Sequence, residues 1–264
     1  MIICVAGYPR SGTNWLQRLI VYSLNGYVPK AVIVNPDRID PNHTINQFIK
    51  NPNKDIQVVR THHYPDHLPK EVTHFVYIYR NVYDVIFSAY KYFRFYKKPF
   101  TNNIVIKKIK NIYMNISGND PDFEKKISIY VKKFCKGELS FAKKFGKWDE
   151  NIIEWMNFCD RNNHKATSLP YEQLHNDPCK MLSNVFDDLD IHYEKKSVLE
   201  AIEFLKIENY KKQIPDDKTT LHTMYKGQIG LGVEKFGAED ISLINKTFGN
   251  SIIELGYDTI NDNQ

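Results

Sequence analysis

The chain predicts an α/β fold, a doubly wound and mainly parallel sheet flanked by helices, forming one domain over residues 1–264 with a P-loop-like turn at its start. Three observations predict it. Apolar, β-branched runs at 2–6, 56–59 and 75–79 have the length of strands buried on both faces. Helical spacing follows them, with Leu16, Leu19, Ile20 and Ser23 after the first run and Val82, Val85, Ile86, Ala89, Tyr90 and Phe93 after the third. Gly7-Tyr8-Pro9-Arg10-Ser11-Gly12-Thr13-Asn14 then joins the first run directly to its helix. Strand, tight turn and helix in repetition place a ligand at the carboxyl ends of the strands.

The first turn has the glycine spacing of a loop whose backbone N–H groups and following helix N-terminus cradle a phosphate. Its chemistry departs from that of a nucleoside-triphosphate enzyme. Thr13 and Asn14 stand where the β/γ-phosphate lysine and the magnesium-binding hydroxyl belong, and a cation, Arg10, lies inside the loop instead. The pattern suits a smaller anion, a 5′-phosphate carrying one transferable group, neutralised without Mg²⁺. The third run ends at Tyr79-Arg80, so Arg80 faces the ligand crevice, and Ser88 follows about two helical turns later. Arg80 and Ser88 together make a clamp for a second phosphate. Asn81 is an N-cap for this helix, and Asp84 sits three residues on as a variant of the capping box.

Composition narrows the class. With 42% hydrophobic and 25% charged residues the chain is of ordinary globular make-up. No run approaches the about 18 apolar residues of a membrane span, and the loop begins too near Met1 for a signal peptide, so a cytoplasmic protein is expected. Cys4, Cys135, Cys159 and Cys179 are far apart and form no C-x-x-C pair, which argues for thiols rather than disulfides or zinc ligands. The N-x-S/T triplets at Asn42, Asn115 and Asn245 are then chance occurrences. A net charge of +5 invites a nucleic-acid reading, but no helix-turn-helix, RNP, KH or zinc pattern is present. His62, His63 and His67 make a poor metal set, since Pro65 disfavours the helix that would align His63 with His67 and no carboxylate or thiol completes it.

Beyond these features, the chain resembles the soluble PAPS-dependent sulfotransferase family over nearly its whole length. Tyr8-Pro9-Arg10-Ser11-Gly12-Thr13-Asn14-Trp15 is similar to that family's 5′-phosphosulfate loop, and Tyr79-Arg80-Asn81, Asp84-Val85 and Ser88 to its 3′-phosphate motif. Further matches come in the family's order. They are Arg60-Thr61-His62, Phe134 and Gly137, Gly146-Lys147-Trp148 with Trp155, Tyr171-Glu172-Gln173-Leu174 with Asp177-Pro178, and Lys226-Gly227-Gln228-Ile229-Gly230.

The resemblance implies transfer of a sulfuryl group from 3′-phosphoadenosine 5′-phosphosulfate (PAPS) to an acceptor hydroxyl or amine by in-line displacement, leaving adenosine 3′,5′-bisphosphate (PAP), with no metal required. Arg10 would stabilise the leaving phosphate, with Ser11, Gly12, Thr13 and Asn14 around it. Arg80, Ser88, Lys226 and the Gly227 backbone would hold the 3′-phosphate, Trp15 would stack on adenine, and Tyr171 would lie at its edge. His62 is the base that the resemblance implies, because imidazole titrates near neutrality. If the strand continues, His62 and His63 face opposite sides and only one reaches the acceptor. Departures are visible too. Tyr225 replaces an arginine, Leu231-Gly232 replaces Asp-Trp, Arg60 replaces a lysine, and no C-terminal dimerisation motif is found, so the oligomeric state stays open. The acceptor pocket is expected under residues 91–147, as a lid or insertion with Tyr90, Tyr92, Phe95, Tyr96 and Phe100 as lining candidates. Lys97, Lys98, Lys107, Lys108, Lys110, Lys125, Lys126, Lys132 and Lys133 there read either as an attraction for an anionic acceptor or as a solvated helix face. The alternative activity is a P-loop kinase or nucleotide hydrolase with a divergent loop.

Overall fold

The structure is a computed structural model that describes residues 1–26, 56–96, 122–162, 164–206, 209 and 228–260, with backbone alone over 93–96. The expectations on Tyr225, Lys226, Gly227, Lys97, Lys98, Phe100, Lys107, Lys108, Lys110, Asn42 and Asn115 lie outside the described residues, as do those on the side chains of Phe93, Phe95 and Tyr96.

The described elements are β1 (Ile2–Ala6), α1 (Thr13–Asn25), β2 (Gln57–Thr61), β3 (His74–Tyr79), α2 (Val82–Tyr96), α3 (Phe123–Cys135), α4 (Ala142–Phe145), α5 (Trp148–Arg161), β4 (Ala166–Pro170), α6 (Tyr171–Asn176), α7 (Pro178–Asp188), α8 (Lys195–Phe204) and α9 (Ala238–Glu254), with short 3-10 turns at Pro65–His67 and Val233–Lys235. They gather into two compact units. Met1–Arg80 and Lys144–Gln228 make the first, and Asn81–Lys143 and Ile229–Gln264 the second.

The first unit holds a parallel sheet of order β2-β1-β3-β4. Central β1 sets the register, with Cys4 opposite Val59 on one side and Phe75 on the other. β2 runs past the apolar stretch to Thr61 because Arg60 and Thr61 pair with Val5 and Ala6. Alternation along the strands supplies two apolar faces. Ile3, Val5, Val58, Val76, Ile78 and Leu169 join Leu16, Leu19 and Ile20 of α1 and the buried sides of α7 and α8. On the opposite face Tyr77 stacks on Trp155 of α5, with ring centroids 5.3 Å apart and planes 15° off parallel. Helices on both faces are what the doubly wound reading requires.

The second unit is helical among the described residues. α2 is buried on more than its expected face, since Tyr83, Asp84 and Phe87 join Val82, Val85, Ile86, Ala89 and Tyr90 in the interior. Asn81 accepts the Tyr83 N–H at 3.0 Å. Asp84, only 3% exposed, reaches along the chain, where its two oxygens accept the N–H groups of Gly230 and Gly232, each at 2.9 Å. Gly232, the residue in the place of the family's tryptophan, abuts the Tyr83 and Asp84 backbone so closely that a Cβ would collide with it. Asn245 accepts the Tyr83 hydroxyl and donates to the Ile260 carbonyl at 2.7 Å, so both ends of its amide hold structure. On α3, Lys125, Lys132 and Lys133 are exposed, and Lys126 pairs with Asp122 at 3.2 Å one turn away.

Candidate active site

Four strand ends converge on one edge of the first unit. Gly7 follows β1 by one residue, as do His62 after β2, Arg80 after β3 and Tyr171 after β4. In a parallel sheet this is the carboxyl-end crevice, where β1, the central strand, has its neighbours on opposite sides and connections diverge.

The loop from Gly7 to Gly12 is built for close approach. Arg10 takes a positive φ of 79° and Gly12 one of 101°. Non-glycine residues rarely adopt the former, so the loop stores about 1–3 kcal/mol of strain at the residue that carries its cation. A Cβ on Gly12 would lie 2.5 Å from the Tyr171 ring, and one on Gly7 would lie 2.8 Å from the Thr13 methyl. Helix α1 then begins at Thr13 with no side-chain cap on its N-terminus. The opening N–H groups of such a helix have no acceptor within it and carry its positive dipole end. The Ser11 hydroxyl adds a further donor, wholly buried and without a hydrogen-bond partner among the described residues. An anion taken between Ser11 and the helix start satisfies both, so the residues present fit a phosphate.

Arg80 is 8% exposed and held on two sides. Its guanidinium lies over the Tyr171 ring, 4.3 Å from the centroid, and its Nη2 donates to the Gln228 carbonyl at 2.8 Å. Gln228 directly follows Lys226-Gly227 in sequence, which ties the expected 3′-phosphate arginine to the start of the described chain beyond that pair. Trp15 meets Tyr171 edge-on at 5.8 Å and the exposed His175 at 6.3 Å, a cluster of three rings beside Arg80. Sequence reasoning did not single out His175. Its signal was its spacing of four from Tyr171, one turn of helix.

The strand does not continue through the two adjacent histidines, so the expected alternation to opposite sides fails: β2 ends at Thr61 and both rings meet Phe145 edge-on, His62 at 5.6 Å and His63 at 4.9 Å. His62 Nδ1 lies 2.6 Å from the Gly7 carbonyl oxygen. A carbonyl only accepts, so Nδ1 carries the proton and the neutral ring keeps its lone pair on Nε2. The His63 ring also stacks on His67 at 5.8 Å. The sequence expects Pro65 to disfavour a helix that aligns His63 with His67, and residues 63–67 form none; the two rings meet by another route. A 3-10 turn begins at Pro65, where a missing N–H costs nothing, and doubles the chain back. Among the described residues no group of three or more His, Cys, Asp or Glu is placed to hold a metal.

Helix α5 presents a row of donors to these strand ends. Trp148 Nε1 donates to the Arg80 carbonyl at 3.2 Å and Trp155 Nε1 to the His63 carbonyl at 3.0 Å. Asn151, between them, donates from Nδ2 to the His62 carbonyl at 3.2 Å and to the Phe145 carbonyl at 2.9 Å, and its Oδ1 accepts the Tyr77 hydroxyl at 2.9 Å. Positions 148, 151 and 155 share one helix face. Sequence reasoning took the two tryptophans as matches and passed over Asn151, whose signal was a polar residue at core spacing between them. Burial pushes the Tyr77 hydroxyl pKa well above its ordinary value, and a backbone hydrogen bond from Tyr8 acts the other way. Ser88, the remaining described site candidate, is half-buried on α2 in the second unit.

The model of the sulfotransferase domain matches residues 2–256. Mouse sulfotransferase 2A6 (Mus musculus) is 24% identical over 269 residues, covering 95% of this chain and 84% of the relative. A 3-beta-hydroxysteroid sulfotransferase of Cavia porcellus is 27% identical over 243 residues, covering 84% of this chain and 74% of its own. Among solved structures, a mouse sulfotransferase complexed with PAP has a TM-score of 0.65 at 18% identity, over 95% of this chain and 84% of that one. A retinol dehydratase in complex with androsterone and inactive cofactor PAP has a TM-score of 0.63 at 17% identity, over 100% of this chain and 83% of that one. These structures share the fold, and the domain match carries the rest: the chain belongs to the sulfotransferase family and is an enzyme, a PAPS-dependent sulfotransferase.

Proposed function

We propose that this chain moves the sulfuryl group of PAPS to an acceptor hydroxyl or amine, with His62 as general base and Arg10 as the stabiliser of the leaving phosphate. The acceptor oxygen or nitrogen attacks sulfur, the sulfur–oxygen bond to the 5′-phosphate breaks, and the acceptor's proton passes to His62 Nε2. PAP leaves with the electron pair of the broken bond. Charge accumulates on that bridging oxygen, where Arg10 and the N-terminus of α1 meet it without reorganising. Ser11, Gly12, Thr13 and Asn14 surround the 5′-phosphate, Trp15 and Tyr171 the adenine, and Arg80 the 3′-phosphate. Ser88, Lys226 and the Gly227 backbone keep the 3′-phosphate roles that the resemblance implies, with Tyr225 beside them on the donor in the place of an arginine.

The observation that carries the reading is the bond from His62 Nδ1 to the Gly7 carbonyl. It sets the tautomer with a basic Nε2 and anchors that base to the loop that would hold the donor. Four cysteines outside any disulfide accord with the reducing cytoplasm expected from the sequence. Residues 91–147 are proposed as the acceptor side. The relatives and neighbours supply the first probes, since one relative is a 3-beta-hydroxysteroid enzyme and one neighbour holds androsterone.

Turnover of labelled PAPS against a panel of steroid alcohols, retinol and simple phenols tests the reading with His62→Ala beside the unaltered enzyme. The variant is expected to keep PAP affinity and lose turnover by about 10²–10⁴-fold. Full turnover in His62→Ala removes the histidine from the mechanism, and a dead His63→Ala in its place moves the base by one residue.

A further inference from the structure

We propose that Asn151 is a positioning residue that fixes the orientation of His62 and couples it to the phosphate loop. Asn151 is fully buried, and each of its amide groups is used. Its two Nδ2 hydrogens go to the His62 and Phe145 carbonyls and its Oδ1 accepts from Tyr77. Bonds therefore run in a closed circuit. The His62 ring donates to Gly7, the next residue, Tyr8, hydrogen-bonds through its backbone to the Tyr77 hydroxyl, Tyr77 donates to Asn151, and Asn151 donates to the His62 carbonyl.

His62 is thus held at two points. The Asn151 bond fixes its peptide plane, and the Gly7 bond fixes its side-chain torsions and keeps the proton on Nδ1. The register of β2 ends at Thr61, and just beyond it the His62 carbonyl accepts from Asn151. Asn151 also fixes the Phe145 carbonyl, next to Gly146, whose own carbonyl accepts the Tyr8 hydroxyl at 3.3 Å. An asparagine meets this demand because it alone of the short side chains offers two donors and an acceptor in one plane. Loss of the amide leaves buried carbonyls unpaired and frees the His62 peptide to turn.

The inference rests on the reading of His62 as the base, but its test does not need turnover. Nitrogen-15 histidine spectra of the full chain with PAP bound report which ring nitrogen carries the proton, and His62→Gln identifies the signal among the 9 histidines. The unaltered protein is expected to show His62 as a single Nδ1–H tautomer. In Asn151→Ala that signal is expected to shift toward the Nε2–H form that predominates in free histidine, with PAP affinity retained. Trp155→Phe, which removes the neighbouring bond to His63, is expected to leave it in place. An unshifted His62 signal in folded Asn151→Ala overturns the proposal, and so does an equal shift in Trp155→Phe, which would mean general loosening. If Asn151→Ala does not fold, Tyr77→Phe removes one hydroxyl from the same circuit and is expected to lower the Nδ1–H population, whereas an unchanged spectrum overturns the proposal. Activity of His62→Ala speaks separately to the reading of the base, so the two failures are distinguishable.

Discussion

Arg80 is the cation proposed for the 3′-phosphate. Buried guanidinium is costly unless it is paired, and here the Tyr171 face and the Gln228 carbonyl meet part of that cost. Charge-assisted hydrogen bonds are worth about 1.5–3 kcal/mol, so Arg80→Ala is expected to weaken PAP binding by about 10–100-fold in calorimetry. Arg80→Lys is expected to recover only part of it, because a point charge cannot lie flat on Tyr171 while donating to Gln228. Unchanged affinity in Arg80→Ala would remove the residue from the donor site. The positions were legible in the sequence, since Arg80 does stand one residue past a strand and Ser11 inside the glycine loop. The Asn151 circuit was not, since its meaning lies in carbonyls that no sequence pattern marks.

At the scale of elements, the strands explain why the site forms where it does. β1, β2 and β3 announce themselves by apolar runs, and each delivers its functional residue one position past its last ladder pair. β4 was not read, because Ala166-Thr167-Ser168-Leu169-Pro170 has too few branched apolar residues to stand out, and its place in the sheet comes from pairing with β3. The α1 face was read in part, since Gln17, Arg18 and Val21 are buried beside the expected Leu16, Leu19, Ile20 and Ser23. That of α2 was read in part, since Tyr83 and Asp84 are polar at their tips and carry hydrogen bonds into the interior. The joint between β1 and α1 yields a prediction that separates close packing from flexibility. Gly12→Ala must accept both a left-handed backbone and a Cβ 2.5 Å from the Tyr171 ring. It is expected to lose about 1–3 kcal/mol in urea unfolding, together with PAP binding. Retention of both would show that the loop has room the structure does not indicate.

For the molecule as a whole, the fold class and the reaction class were both legible, because ordered motifs span the chain and the family match runs from residue 2 to residue 256. The grouping of contacts into two units was not, since each unit is assembled from segments distant in sequence. Among the described residues no helix is long and apolar enough to cross a membrane. The central claim is a donor site made for a 3′,5′-bisphosphate and indifferent to magnesium. Calorimetric titration of the full chain with PAP and with ATP, each with and without Mg²⁺, tests it most directly because no acceptor is needed. Tight PAP binding that ignores Mg²⁺, with weak ATP binding, is the predicted result. Preference for Mg²⁺-ATP over PAP would contradict the account.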